Sequence, residues 1–339
     1  MLVYTVEPEL AFSHYPGSMF ITDIKAESKD LDDEIEIVEL SRPNDAYYAS
    51  VINQNSLPFF EALEQMLLDD TEEKGIAHLF QKSDLLKAVL ALSHARTVAV
   101  TTGFPVHTEF DVMEMTNGPP GALAVCQALL TLGKEVTLII DEGKENLYVS
   151  CVKHMVDVGA LKGGSLAVIP IEKAMEKLQR NSSSSTPVYD CLLSINRPGR
   201  NTYGTYYSIK GENISHYVQP IDKLFEMAQQ NSHITTIGIG DSGNELGMGK
   251  VYGSIVKNIS LGETIACSVS ADYLIVAGAS DWGGYAVACG LYIVSNSPFH
   301  WRYRNYAING DQLPQFDLHK FLPTVDQVRV TQSIPYSGL

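Results

Sequence analysis

The chain has 339 residues and a formal charge of −16, from 24 Lys and Arg against 40 Asp and Glu. A surface this acidic repels phosphate backbones, which argues against a nucleic-acid partner and means that an anionic small molecule needs a local cluster of Arg or Lys. Apolar residues at 45% and charged residues at 19% suit a globular chain with a large core, and no apolar run reaches the ~18 residues that would cross a bilayer.

Residues 1–56 carry an acidic stretch at 27–36 and irregular turn residues without α/β alternation. They read as an extension, partly extended or disordered. Residues 1–20 hold no Lys or Arg and include Glu7 and Glu9, so neither a secretory signal nor an Arg-rich transit peptide is expected and the address reads as cytoplasmic.

From residue 57 the pattern is regular. Ile76, Leu79, Leu86, Val89 and Leu90 approach helical spacing over 75–95. A β-branched run at 97–101 predicts a buried strand, and Pro119-Pro120 suits the first turn of a helix that Gly133 ends. Strands follow at 136–140, 166–169, 189–195, 234–239 and 273–277. Helices fall at 146–158, 171–180, 217–230, 243–255 and 282–294. Alternation at this pace predicts a doubly wound, mostly parallel sheet with helices on both faces, a Rossmann-like three-layer α/β fold. We place this domain at 57–330, with a tail at 331–339. Residues 181–186 read as a polar surface connector, and 301–314 as a loop that covers the site.

Five cysteines, Cys126, Cys151, Cys191, Cys267 and Cys289, form no CxxC pair and sit mostly among apolar neighbours. They read as reduced core thiols.

Ligands of open parallel sheets bind beyond the carboxyl ends of the strands, where helix N-termini present free N–H groups. Four segments take that position. The first runs from Thr102 to Gly121 and brings His107, Glu109, Asp111, Glu114 and Asn117 near one helix start; Asn117 is either a helix cap or a substrate ligand. The second holds Arg197 and Arg200, which are either carboxylate clamps or structural ion pairs. The third, 238–250, ends a strand with Asp241 and follows it with Asn244 and Glu245. These oxygens suit a general acid/base pair, or a hard cation such as Mg²⁺ or Mn²⁺ held by Asp241 and Glu245. Gly238, Gly240 and Gly243 match a dinucleotide fingerprint in spacing, but Asp241 would then face the pyrophosphate. A P-loop fails because Asn244 stands where its first Gly belongs and Val251 where Ser or Thr belongs. The fourth segment holds Asp281, either the cap of the next helix or a substrate ligand.

Three strings carry a resemblance: TGFPVHTEFDVMEMTNGPPGALA at 102–124, INRPGRNTYGTYYSIKG at 195–211 and GIGDSGNELGMGKV at 238–251. In this order they resemble the signature segments of the D-glutamate cyclase family, in its C-terminal domain, and the resemblance covers most of 57–330. It implies a lyase that converts D-glutamate to 5-oxo-D-proline and water. The family enzyme is mitochondrial in animals and usually carries an N-terminal hydro-lyase-like domain, for which this chain has no room. Read with the chemistry of cyclisation, Asp241 and Glu245 are the expected catalytic acids, and Asn117, Arg197, Arg200, Asn244 and Asp281 the expected substrate ligands. The reading fixes no cofactor: Mn²⁺ or Mg²⁺ held by Asp241 and Glu245 would replace or assist the acid by polarising the carboxyl. The expected partner is D-glutamate, with no nucleic acid and no membrane; a homo-oligomer is left open. Two other classes stand beside this reading: a module that binds an acidic metabolite without converting it, and a nucleotide- or NAD-dependent enzyme.

Overall fold

The computed structural model describes residues 35–40, 48–105, 116–180, 188–231 and 233–296. The expected connector at 181–186, His107, Glu109, Asp111, Glu114, the covering loop at 301–314 and the tail at 331–339 lie outside them.

Two short strands come first, β1 (Ile35–Leu40) and β2 (Tyr48–Asn53), paired antiparallel. Leu40 and Ile52 enter the core of the larger domain, and Ser50 Oγ meets His94 Nε2 at 2.8 Å. Then come α1 (Leu57–Leu67), α2 (Asp84–His94), β3 (Thr97–Thr102), α3 (Pro119–Thr131), β4 (Glu135–Ile140), α4 (Glu145–Asp157), β5 (Leu166–Pro170), α5 (Ile171–Arg180) and β6 (Cys191–Ile195). The chain continues through α6 (Asp222–Gln229), β7 (Thr235–Gly240), α7 (Tyr252–Asn258), α8 (Gly262–Ile265), β8 (Tyr273–Val276) and α9 (Ser280–Asn296).

Strands β3 to β8 form one parallel sheet in the order β5-β4-β3-β6-β7-β8. The chain starts at the middle, winds outward through β4 and β5, returns, and winds the other way through β6, β7 and β8. The winding reverses between β3 and β6, the position beyond whose strand ends open α/β sheets hold their ligands, the crevice of this fold class. Side chains alternate between two cores, as the two-residue strand period requires. Val98, Val100, Leu193, Ile195, Ile237 and Ile239 face α1 to α4 and α9, while Ala99, Leu192, Leu274 and Val276 face α5 to α8.

Helix ends follow local chemistry. Gly133 (φ +75°) ends α3 in a Schellman turn, with Lys134 N–H donating to Leu129 O at 3.1 Å and Gly133 N–H to Leu130 O at 3.0 Å. Gly159 ends α4 in the same way, with Ala160 N–H donating to Met155 O at 2.8 Å.

Two expectations are corrected. The helical spacing over 75–95 is two elements: a 3-10 turn at Ile76–His78 and α2, separated at Ser83, whose φ is +67°. Ile76 and Leu79 pack into the α5–α8 core, whereas Leu86, Val89 and Leu90 pack into the other. The helix expected at 243–255 survives only as a 3-10 turn at Gly249–Val251 and α7. Upstream, Gly243 (φ +96°) and Gly247 (φ +100°) hold left-handed backbone, and the intervening chain bonds back to the loop after β6: Leu246 N–H to Arg197 O at 2.8 Å, Gly199 N–H to Asn244 O at 2.9 Å.

Helices α3 and α9 cross at backbone contact. A Cβ on Gly284 would lie 2.7 Å from the Cα, C and O of Gly121. Gly284→Val is therefore expected to destabilise the fold by about 3 kcal/mol, the upper range for overpacking, read as a lower urea midpoint; an unchanged midpoint would contradict this crossing.

Candidate active site

Three strand ends and two loops converge at the crevice. Asp241 follows β7 and is 3% exposed. Its Oδ2 accepts from Asn117 Nδ2 at 2.7 Å, from Ser280 N–H at 2.9 Å and from Ser280 Oγ at 3.0 Å. Its Oδ1 accepts from Ser242 Oγ at 2.5 Å and lies 3.4 Å from Lys74 Nζ. Burial alone pushes the carboxyl up, but the Lys74 ammonium and the Ser242, Asn117 and Ser280 donors outweigh it and hold it below its ordinary value. Asp241 is ionised and its hydrogen-bonding capacity is filled.

Asn117 spans the crevice. Besides donating to Asp241, its Oδ1 accepts from Asp281 N–H at 3.1 Å, and its own carbonyl accepts from Asn196 Nδ2 at 2.5 Å. Asn196 sits at the end of β6 with φ +44°, and a Cβ on Gly118 would lie 2.7 Å from its Cβ. Glycine at 118 is what lets the start of α3 close against Thr102 at the end of β3 and Asn196 after β6.

The two caps expected for α3 and α9 are exchanged. Asn117 does not cap α3, whose N-cap residue is Gly118. Asp281 reaches across instead, and its Oδ1 accepts both Gly118 N–H and Gly121 N–H at 2.8 Å. Burial raises the Asp281 carboxyl to about 6; its two amide donors oppose this and Asp241's charge adds to it.

Glu245 is 1% exposed. Its Oε1 accepts from Asp241 N–H at 3.0 Å, and its Oε2 from Ser242 N–H at 3.2 Å and Gly243 N–H at 2.8 Å. Burial and the neighbouring Asp241 charge raise its carboxyl. Both oxygens thus fold the 241–243 turn onto the glutamate. Asp241 and Glu245 are brought together: Glu245 Oε1 accepts the Asp241 N–H, while the Asp241 oxygens face Lys74, Asn117, Ser242 and Ser280. Among the described residues no group of three or more His, Cys, Asp or Glu is gathered.

The two arginines part. Arg197, 1% exposed, pairs with Asp141 at the end of β4 and donates to Gly103 O at 3.2 Å after β3. It ties three strand ends together. Arg200 pairs with Glu226 of α6, and both side chains are more than a third exposed. Asn244 donates from Nδ2 to Tyr207 O at 2.8 Å, while its buried Oδ1 has no partner among the described residues.

Lys74 is the residue that the sequence reading missed. It lies in the turn before the 3-10 helix at Ile76–His78, held by Asp70, whose carboxylate accepts Lys74 N–H at 2.8 Å and Gly75 N–H at 2.7 Å. Its ammonium bonds Gly278 O at 3.2 Å and Glu72 at 2.9 Å as well as facing Asp241. Its signal was a single Lys directly after the acidic run at 69–73.

The glycines of the dinucleotide-like spacing have another use. A Cβ on Gly238 would lie 2.8 Å from Leu246 O, and one on Gly240 2.7 Å from Met248 Sδ. The 245–248 segment therefore packs against both glycines, and the missing side chains serve the protein's own backbone. The buried thiols Cys126 and Cys267 are pushed up to about 12 by burial, as core cysteines are.

The fold and crevice define a doubly wound α/β protein with a charged, mostly buried polar site at its winding reversal, built for a small polar ligand. A family model described as "D-glutamate cyclase-like, C-terminal" matches residues 63–332, and the chain belongs to that family. It is 40% identical over 326 residues to a human protein named "D-glutamate cyclase, mitochondrial", a match covering 92% of this chain and 52% of the human one. The chain thus spans about half the length of that relative. Among the described residues no helix is long and apolar enough to cross a membrane.

Lys74→Met leaves Asp241 without its cation and is expected to cost about 2–3 kcal/mol at neutral pH, somewhat below a fully buried pair. A depressed carboxyl contributes stability above its ordinary value of 3.8 and loses it as pH falls through the folded value. The deficit should therefore shrink as pH drops below about 4; equal deficits in melts across this range would contradict the pairing.

Proposed function

We propose that this chain cyclises D-glutamate to 5-oxo-D-proline with loss of water, at the crevice between the ends of β3, β6 and β7. The observation that carries the reading is the set of buried charged and amide groups, Asn117, Asp241, Ser280, Asp281 and Lys74, hydrogen-bonded into one network at the reversal point. The family match and the name of the human relative supply the substrate. The same name motivates a mitochondrial address for this chain.

The reaction needs a folded substrate, an ammonium that loses its protons and an oxygen that leaves. Two carboxylates must be held apart from an acidic protein. Arg200 suits one of them, because an ion pair as exposed as that with Glu226 is weak and exchanges readily. Arg197 shapes the wall and keeps its charge on Asp141. Asn244 Oδ1, a buried acceptor with no partner among the described residues, suits an N–H donor. Holding amine and γ-carboxyl in near-attack geometry supplies much of the rate. A divalent ion such as Mg²⁺ or Mn²⁺, held by Asp241 and Glu245, would polarise the γ-carboxyl.

A second reading is capture of an acidic metabolite without turnover. Incubating the purified chain with D-glutamate and with L-glutamate, and following 5-oxoproline by mass spectrometry, decides between them. Product from the D-isomer alone is the expected result. Saturable binding with no product would replace the cyclase reading with the second one.

A further inference from the structure

We propose that Asp281 is the carboxyl that carries protons from the substrate nitrogen to the departing oxygen, an assignment that rests on the D-glutamate reading above. The geometry separates it from the other two acids of the site. Asp241 has both oxygens bonded, by Asn117, Ser280, Ser242 and Lys74. Glu245 has both oxygens on the amides of residues 241–243. Asp281 differs, because both of its hydrogen bonds fall on Oδ1. Its Oδ2 is uncommitted among the described residues.

The seat of this carboxyl is purpose-shaped. The bonds from Gly118 and Gly121 fix its plane at the start of α3, where the helix dipole favours an anion. A side chain at 121 would lie 2.8 Å from Asp281 Cα and 3.1 Å from its Oδ1, so only glycine lets the carboxyl approach. An asparagine would accept the same two amides through its own oxygen and serve equally as a cap, without a charge 7% exposed and repelled by Asp241. The acid form therefore costs stability that a pure cap would not.

The ionisable groups facing Asp281 are few. Asp241 approaches from the loop after β7, compensated by Lys74 and backed by Glu245. Tyr285, one turn further along α9, is raised by its own burial and by Asp281. The first turn of α3 brings no acidic residue. With burial leading, the carboxyl rests at about 6, where it is mostly ionised at neutral pH yet releases a proton easily, the best compromise for a base that must also act as an acid.

The chemistry balances on this group. The substrate ammonium gives up two protons, a C–N bond forms at the γ-carboxyl carbon, one C–O bond of that carboxyl breaks, and its oxygen leaves as water with the two protons. Asp281 takes each proton from nitrogen in turn and delivers it to the oxygen, ending in its starting state.

The test is the pH dependence of D-glutamate turnover by the full chain, with Asp281→Asn beside the wild type and binding of 5-oxo-D-proline measured by calorimetry. The wild type is expected to lose kcat/KM as pH falls through about 6, because the base protonates. Asp281→Asn should lose about 10²-fold or more in kcat, lose the acidic limb from whatever turnover remains, and bind product within a few-fold of the wild type. An active wild type with no limb between about pH 5 and 7 overturns the assignment whatever the variant does. So does Asp281→Asn with near-normal kcat. A wild type that makes no product from D-glutamate instead removes the cyclase reading itself, and the two failures are distinct.

Discussion

A carboxylate that keeps its charge in a protein interior must be surrounded by donors, because an isolated buried charge is among the most expensive things a fold can contain. Asp241 meets this condition with a cation and donors from four separate segments: Lys74 before β3, Asn117 after it, Ser242 beside it and Ser280 at the start of α9. Each of these groups is fixed in turn by something else. Asp70 folds the Lys74 turn, Asn196 holds the Asn117 carbonyl, and Glu245 shapes the loop that carries Ser242. The crevice keeps its form because the Asp241 charge needs all of them at once.

The parallel sheet decides where this can happen. Open α/β sheets hold their ligands beyond the strand ends where winding reverses, here between β3 and β6. The chain then fills most of that room itself. Gly118 lets Asn196 close in, Gly121 lets Asp281 close in, and Gly238 and Gly240 let the 245–248 segment lie against β7. Fixed dipoles and charges in such a dry site act more strongly than they would in water and need no rearrangement during reaction. Two acids anchored by filled hydrogen bonds stand beside Asp281, whose Oδ2 is uncommitted among the described residues; in the proposed reaction the anchored pair sets the field and the third exchanges protons.

Much of the architecture is legible in sequence because parallel strands buried on both faces leave unmistakable apolar runs. The β-branched run at 97–101, the helix opening at Pro119 and the strands near 136, 166, 234 and 273 fall where periodicity puts them. The reading fails where long-range contacts overrule local pattern. Residues 243–255 look helical, but left-handed glycines and bonds to the loop after β6 hold them open. The site residues Asn117, Asp241, Glu245 and Asp281 were visible as polar groups at strand ends. Their roles were not, because which carboxylate is filled and which is open depends on distant partners, Gly118 lying 163 residues from Asp281 and Lys74 further still from Asp241. Lys74 shows the same limit: its turn follows α1, outside any strand-to-helix loop, and only the fold brings it to Asp241.

The central claim is that one crevice, organised around the Asp241 charge, is where substrate is held and converted. A crystal structure of the chain with 5-oxo-D-proline tests it most directly. The account predicts the product ring at the reversal point, its nitrogen within hydrogen-bonding distance of Asp281 Oδ2 and the Asp241 network intact around it. Product bound at any other surface, or at the crevice with its nitrogen turned away from Asp281, would contradict it.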